Sequence, residues 1–187
     1  MANTQVTTGK VRFSFVNVFA PKAQMDDGPE KYSVTLLIPK SDKATLSKID
    51  AAIKAAKAKY TESHNGKPAP GKTTLHDGDG TRPSDGEPFG DECKGCMVIT
   101  VSSKNKPVIV YADKTPITDP TELYSGCYGR AIINFYAYDT QGNKGISAGL
   151  NGIMKLHDGE PLGSGIVTDS DWDDGWEDSN DFGGLLD

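Results

Sequence analysis

The run CYGRAIINFYAY at residues 127–138 alternates with the two-residue period of a β-strand. One face carries Ala131, Ile133, Phe135 and Ala137; the other carries Tyr128, Arg130, Ile132, Asn134, Tyr136 and Tyr138. Three phenol rings, a guanidinium and an amide on one face supply flat surfaces for bases, a cation for phosphate and a hydrogen-bonding group. A duplex hides its base faces, so this chemistry suits a single-stranded ligand, at about 1 to 3 kcal/mol per stacked base. The competing reading is packing: tyrosine is intermediate in burial, and the same rings would serve as cover beneath a helix or a long loop.

The other chemically distinctive stretch is the C-terminus. Residues 169–187 hold eight of the 26 acidic residues and no Lys or Arg. All 20 Lys and Arg lie in residues 1–168 with the remaining 18 acids, so a body of formal charge +2 carries a tail of −8. Such a like-charge run repels itself and is expected to be flexible and solvated. Trp172, Trp176 and Phe182 are spaced through it, and Leu185, Leu186 and Asp187 end it. Dense negative charge with apolar groups imitates nucleic acid, so the tail is expected to compete for a basic cleft and to dock partner proteins. A plain solubility tail would gain nothing from exposed Trp residues.

These residues need a scaffold, and the pattern predicts one. Residues 10–19 (KVRFSFVNVF) alternate, with Val11, Phe13 and Phe15 on one face and Lys10, Arg12 and Ser14 on the other. Residues 31–38 (KYSVTLLI) repeat this through Tyr32, Val34, Leu36 and Ile38, after a turn at residues 26–29. Ser41 is placed to cap a helix running to about residue 60, with Leu46, Ile49, Ile53, Ala56 and Tyr60 as its apolar stripe and Lys43, Lys48, Lys54, Lys57 and Lys59 outside it. Residues 65–90 read as a long loop. Strands return at residues 97–102 and 108–111, joined by a basic turn at residues 104–107, and residues 144–150 form a return strand after the 127–138 strand. Five or six strands and one helix predict a mainly β chain. A five-stranded Greek-key OB barrel with long insertions fits the count, although pattern alone leaves a sandwich open. The domain division is a body at residues 1–168 and a tail at 169–187.

Several chemistries are set aside. Cys93 and Cys96 have the spacing of half a zinc site, but Cys127, His64, His76 and His157 provide no second pair, so no metal is expected. Asp77 and Asp79, with Asp85, Glu87, Asp91 and Glu92 nearby, sit in a glycine-rich loop that reads as turn chemistry and lacks the rigid elements a metal-dependent nuclease needs. There is no convergent catalytic set and no nucleotide-binding loop, so neither an enzyme nor a cofactor is expected. Three cysteines cannot all pair, and neither a membrane-length apolar run nor a signal region is present, which points to a reducing cytoplasmic compartment.

The segments KVRFSFVNVF, EKYSVTLLIPKSD, LHDGDGTRP, PITDPTELYSGCYGRAIINFYAYD and GNKGISAGLNGIMKLHDGEPLG, together covering essentially residues 9–163, resemble the single-stranded DNA-binding proteins of tailed bacteriophages and prophages long catalogued as a domain of unknown function. The resemblance implies an OB-fold protein that coats single-stranded DNA in phage replication or recombination inside the bacterial host, without catalysis and with little sequence preference. It also implies an acidic tip similar in kind to those through which replicative single-strand binders recruit partners and limit their own binding. Combining this with residue type and strand alternation, Lys10, Arg12, Lys31, Arg82, Lys104, Lys106, Arg130 and Lys144 are expected to line a phosphate track. Tyr111, Tyr124, Tyr128, Tyr136 and Tyr138 are expected to offer stacking surfaces, with Asn134 between them and Arg130 and Tyr136 foremost. Self-association is left open. The alternative from another class is a scaffold protein that docks partners through its tail and binds no DNA.

Overall fold

The computed structural model describes residues 3–23, 29–83, 85–140 and 143–162. Among these residues eight strands and one long helix are formed: β1 (Gln5–Thr7), β2 (Val11–Ala23), β3 (Glu30–Pro39), α1 (Lys43–Ser63), β4 (Leu75–Asp77), β5 (Cys96–Ser103), β6 (Val108–Tyr111), β7 (Tyr128–Thr140) and β8 (Asn143–His157). Five of the strands close on themselves. β2 pairs antiparallel with β3, β3 with β5, β7 with β8 and β7 with β2, while β5 meets β8 in parallel at Ser102 and Gly149. The resulting circuit, β2-β3-β5-β8-β7-β2, is the strand order of an OB barrel. β1 lengthens the sheet beside β7, β6 runs parallel to β8, and β4 lies along β5.

Closure places one face of every barrel strand in a shared interior. Phe13, Leu36, Ile99, Ile133, Phe135, Ile146 and Leu150 are essentially fully buried there. Helix α1 packs against β7 and β1. Its buried residues include Ile49, Ile53, Ala56 and Tyr60, as the spacing predicts, with Thr45, Ala52 and Ala55 added. The cap is Asp42 rather than Ser41: its carboxylate accepts from the Thr45 amide at 3.1 Å and from Thr45 Oγ1 at 2.6 Å. Thr45 Oγ1 in turn accepts from the Gly9 amide at 2.8 Å, tying the helix start to the entry of β2.

Two strand expectations fail for local reasons. Phe15 does not share the face of Val11 and Phe13; it is 71% exposed with φ at +48°, at a register shift between Ser14 and Asn17, and Ser14 is buried instead. A bulge adds a residue to one strand and resets the alternation beyond it. In β3, residues 33–38 are all buried, not only the alternate ones. The supposed loop at residues 65–90 includes β4, which pairs with β5. A second apolar cluster of Leu37, Cys93 and Val98, with Phe89 and Leu162 against it, covers the outer side of β3. Thr35 is satisfied there by Thr100, 3.0 Å away.

At the start of β7, Lys155 is 8% exposed and holds Glu122 at 3.1 Å and Asp158 at 2.7 Å. Burial works against its charge, but the hydrogen bonds it donates to Asp158 and Glu122 outweigh it and raise its pKa. Tyr124 joins the knot, donating to Asp158 and to the Gly159 carbonyl at 3.0 Å each.

Candidate nucleic-acid interface

The alternation of β7 survives intact because both irregularities of the β7–β8 ladder place the extra residue in β8. Ala131, Ile133 and Phe135 therefore point inward, and Arg130, Ile132, Asn134, Tyr136 and Tyr138 point outward. Tyr136 is 42% exposed. Opposite these residues, the outward positions of β8 are Gly145, Ser147, Gly149 and Asn151, alternating with buried Ile146, Ala148 and Leu150. Small residues beside large rings make a trough. A Cβ at Gly145 would meet the Tyr138 ring at 2.8 to 3.0 Å, so that ring lies across the glycine backbone, and the edge of the Tyr136 ring is 3.7 Å from the corresponding point at Gly149.

The trough opens into a groove of about 280 Å³ bounded by Lys31, Lys104, Asn134 and Tyr136, with Ser102, Ser103, Gly149 and Asn151 on its floor and sides. Two cations, an amide and a ring expected from the sequence thus meet in one place, although β3, the β5–β6 turn and β7 supply them. The Asn134 carbonyl oxygen accepts from Thr4 Oγ1 at 2.8 Å, which leaves its amide nitrogen as the donor. Tyr136 pairs in register with Ser147, and Ser147 also lines the next depression. That one holds Tyr138, Lys72, Arg82, His76 and Phe89. Its charge is modest. Arg82 is paired with Asp85 at 2.8 Å, and burial, helped by Lys72, lowers the His76 pKa and keeps the ring neutral at pH 7. Arg130 lies on the other side, its Nε donating to the Thr8 carbonyl at 2.8 Å.

The other expected site residues sit elsewhere. Tyr128 stacks on His157 at 4.8 Å with Arg12 and Lys10 over its ring, at the opposite end of β7 and about 33 Å along the strand from Tyr138. Arg12 there is held by the Gly126 and Glu160 carbonyls at 3.0 and 2.6 Å. Tyr124 is committed to Asp158 and Gly159, and half-buried Tyr111 packs against the core, so neither ring faces the trough. Lys106 lies over the Phe19 ring at 5.7 Å, and Lys144 is exposed beside Asp139 near the β7–β8 turn. Trp172, Trp176, Phe182, Leu185, Leu186 and Asp187 lie outside the described residues. The sequence reading missed the floor. Its signal was the small-residue alternation at 145, 147 and 149, opposite the tyrosines.

The acidic loop and the cysteines are otherwise engaged. Asp77 and Asp79 both hold Lys40, at 2.7 and 2.6 Å, and Asp79 also accepts from the Gly95 amide. Cys93 packs with Leu37 and Val98, and burial pushes its thiol pKa up to about 11. Among the described residues no three metal-ligating side chains cluster.

Known structures share this fold. A structure of the single-stranded DNA-binding protein from bacteriophage Enc34 in complex with ssDNA superimposes with a TM-score of 0.72 at 29% identity, covering 86% of this chain and 90% of that one. The bacteriophage T7 single-stranded DNA-binding protein gp2.5 matches at a TM-score of 0.58 and 16% identity over 95% and 97% of the two chains, a likeness of fold. Putative protein p50 of Acyrthosiphon pisum secondary endosymbiont phage 1 is 30% identical over 182 residues, 91% of this chain and 93% of that protein. The family model described as Enterobacter phage Enc34, ssDNA-binding protein matches residues 4–183, and the chain belongs to that family.

Proposed function

We propose that this protein binds single-stranded DNA of a phage or prophage, largely irrespective of sequence, and coats it during replication or recombination in the host cytoplasm without catalysing a reaction. The carrying observation is the groove that joins Lys31, Lys104, Asn134 and Tyr136 on the outer face of β7 and β8. Phosphates track the lysines, while a base stacks on the exposed Tyr136 ring, which accepts any base because every base has a π-face. Glycines on the β8 side let the strand approach the sheet closely. Family membership and the Enc34 protein's complex with ssDNA support the same reading. The acidic segment at residues 169–187 is read as a separate element from the 1–168 body, one that competes for this groove and recruits partner proteins through its Trp, Phe and Leu residues.

Salt titration tests these claims together. Anisotropy of labelled oligo-dT should show saturable binding that weakens as salt rises. Replacing Lys31 and Lys104 with alanine should flatten the log–log slope by about 1.4, two phosphate contacts' worth for a single strand. A chain ending at Thr168 should bind more tightly than the full chain, because a tethered competitor acts at high effective concentration. Unchanged affinity after truncation would remove the competition proposal; no saturable binding at low salt would remove the DNA reading and leave the scaffold alternative.

A further inference from the structure

A further depression lies on the same outer face, beyond Asn151, which lines both it and the Tyr136 groove. The ladder register builds it. Thr7 pairs with Ile132, Ile132 with Gly152 and Gly152 with Val108, one row across β1, β7, β8 and β6; the next row is Arg130, Met154 and Val110. Gly152 leaves the middle of the first row empty, since a Cβ there would stand 3.6 Å from Ile132 Cδ1 and from the Val108 carbonyl. The result is a hollow of about 220 Å³ lined mainly by aliphatic side chains and one thioether, with Thr7, Asn151 and Arg130 also in its lining. Val108 is 65% exposed and Ile132 is 38% exposed, so apolar surface faces solvent unless something covers it.

We infer that this hollow is a second base-binding subsite on the same strand track, an aliphatic seat that prefers thymine, with Arg130 on an adjoining phosphate. The inference rests on the single-strand reading of the Tyr136 groove. Three observations fix the occupant. The hollow continues that groove through Asn151, so a strand leaving Tyr136 in this direction meets it next. Arg130 stands at its edge with Nε anchored on Thr8, a fixed cation matched to phosphate. The hollow is small and concave, which suits one flat ring better than a helix or strand of another protein. Most of its wall reads shape and apolarity, because Ile132, Val108, Val110 and Met154 lack strong hydrogen-bonding groups, the polar side chains of the lining being Thr7, Asn151 and Arg130. Among the DNA bases thymine alone carries a methyl group, the feature apolar side chains recognise.

The test compares oligo-dT with oligo-dU of equal length, by anisotropy at one salt concentration, on the wild type and on Ile132→Thr, Met154→Gln and Tyr136→Ala, with thermal melts confirming the fold. The wild type should prefer dT by roughly fourfold, the size expected for burying one methyl group. Ile132→Thr and Met154→Gln should bring the ratio close to one, whereas Tyr136→Ala should weaken both ligands and leave the ratio in place. Binding of both oligomers with a wild-type ratio near one, or with a ratio that neither Ile132→Thr nor Met154→Gln moves, overturns the subsite while the single-strand reading stands. An unmoved ratio combined with loss of self-association in sedimentation would assign the hollow to a protein contact instead. Absence of saturable binding to either oligomer would sink the underlying reading and this one with it.

Discussion

Tyr136→Ala is expected to weaken oligo-dT binding by about fivefold to 150-fold, the range for removing one base–aromatic stack of about 1 to 3 kcal/mol. The ring is 42% exposed and borders the groove that also holds Lys31, Lys104 and Asn134, so its loss removes a stacking surface and little core. The melting temperature should therefore hardly change. Tyr136→Phe should bind within about twofold of the wild type, because stacking needs the ring and not the hydroxyl. Tyr124→Ala provides the contrast: its hydroxyl holds Asp158 and Gly159 and its ring lies beneath Lys155, so the loss should appear as instability rather than as a specific binding defect. Wild-type affinity for Tyr136→Ala, with the fold intact, would move the stacking surface elsewhere.

Gly129→Ala is expected to be the most damaging small substitution in the barrel. Gly129 is the inward position of β7 beside Phe13, and a Cβ there would lie 1.9 Å from the Met154 carbonyl oxygen and 2.6 to 2.7 Å from the Phe13 ring. The carbonyl belongs to a paired strand and the ring is fully buried, so neither can yield without opening the β7–β8 ladder or displacing the barrel core. A cost of at least about 3 kcal/mol, the upper part of the overpacking range, is expected. For a chain of this size that lowers the melting temperature by roughly 10 °C. Gly149→Ala is the matched control: its nearest neighbours are 3.7 Å away, an ordinary contact, so it should melt like the wild type. Equal melting of the Gly129 and Gly149 variants would contradict this packing.

The contrast between these glycines shows what the sequence reveals. The β7 face is legible because a half-buried strand records its two environments in its alternation, and no bulge within β7 breaks the record. β3 is less legible, since the Leu37–Cys93–Val98 cluster packs on its second face and erases the contrast. Phe15 misleads because one irregular residue, at φ +48°, resets the period. The lysine pair at the groove depends on long-range pairing: Lys31 and Lys104 are brought together because β3 and β5 share a ladder with Tyr32 opposite Ser103. Residue type alone put Tyr111 and Tyr124 among the stacking residues behind Tyr136, and the three-dimensional packing turns both away from the trough.

Photo-cross-linking of an oligo-dT carrying 5-iodouracil, followed by peptide mapping of the adducts, tests the central claim most directly. The account predicts adducts on Tyr136 and its neighbours along the outer face of β7 and β8, lost in favour of free oligomer when unlabelled oligo-dT competes. Adducts confined to the Lys10–Arg12–Tyr128 cluster or to the lysine face of α1 would show that the strand runs elsewhere on the barrel and would contradict it.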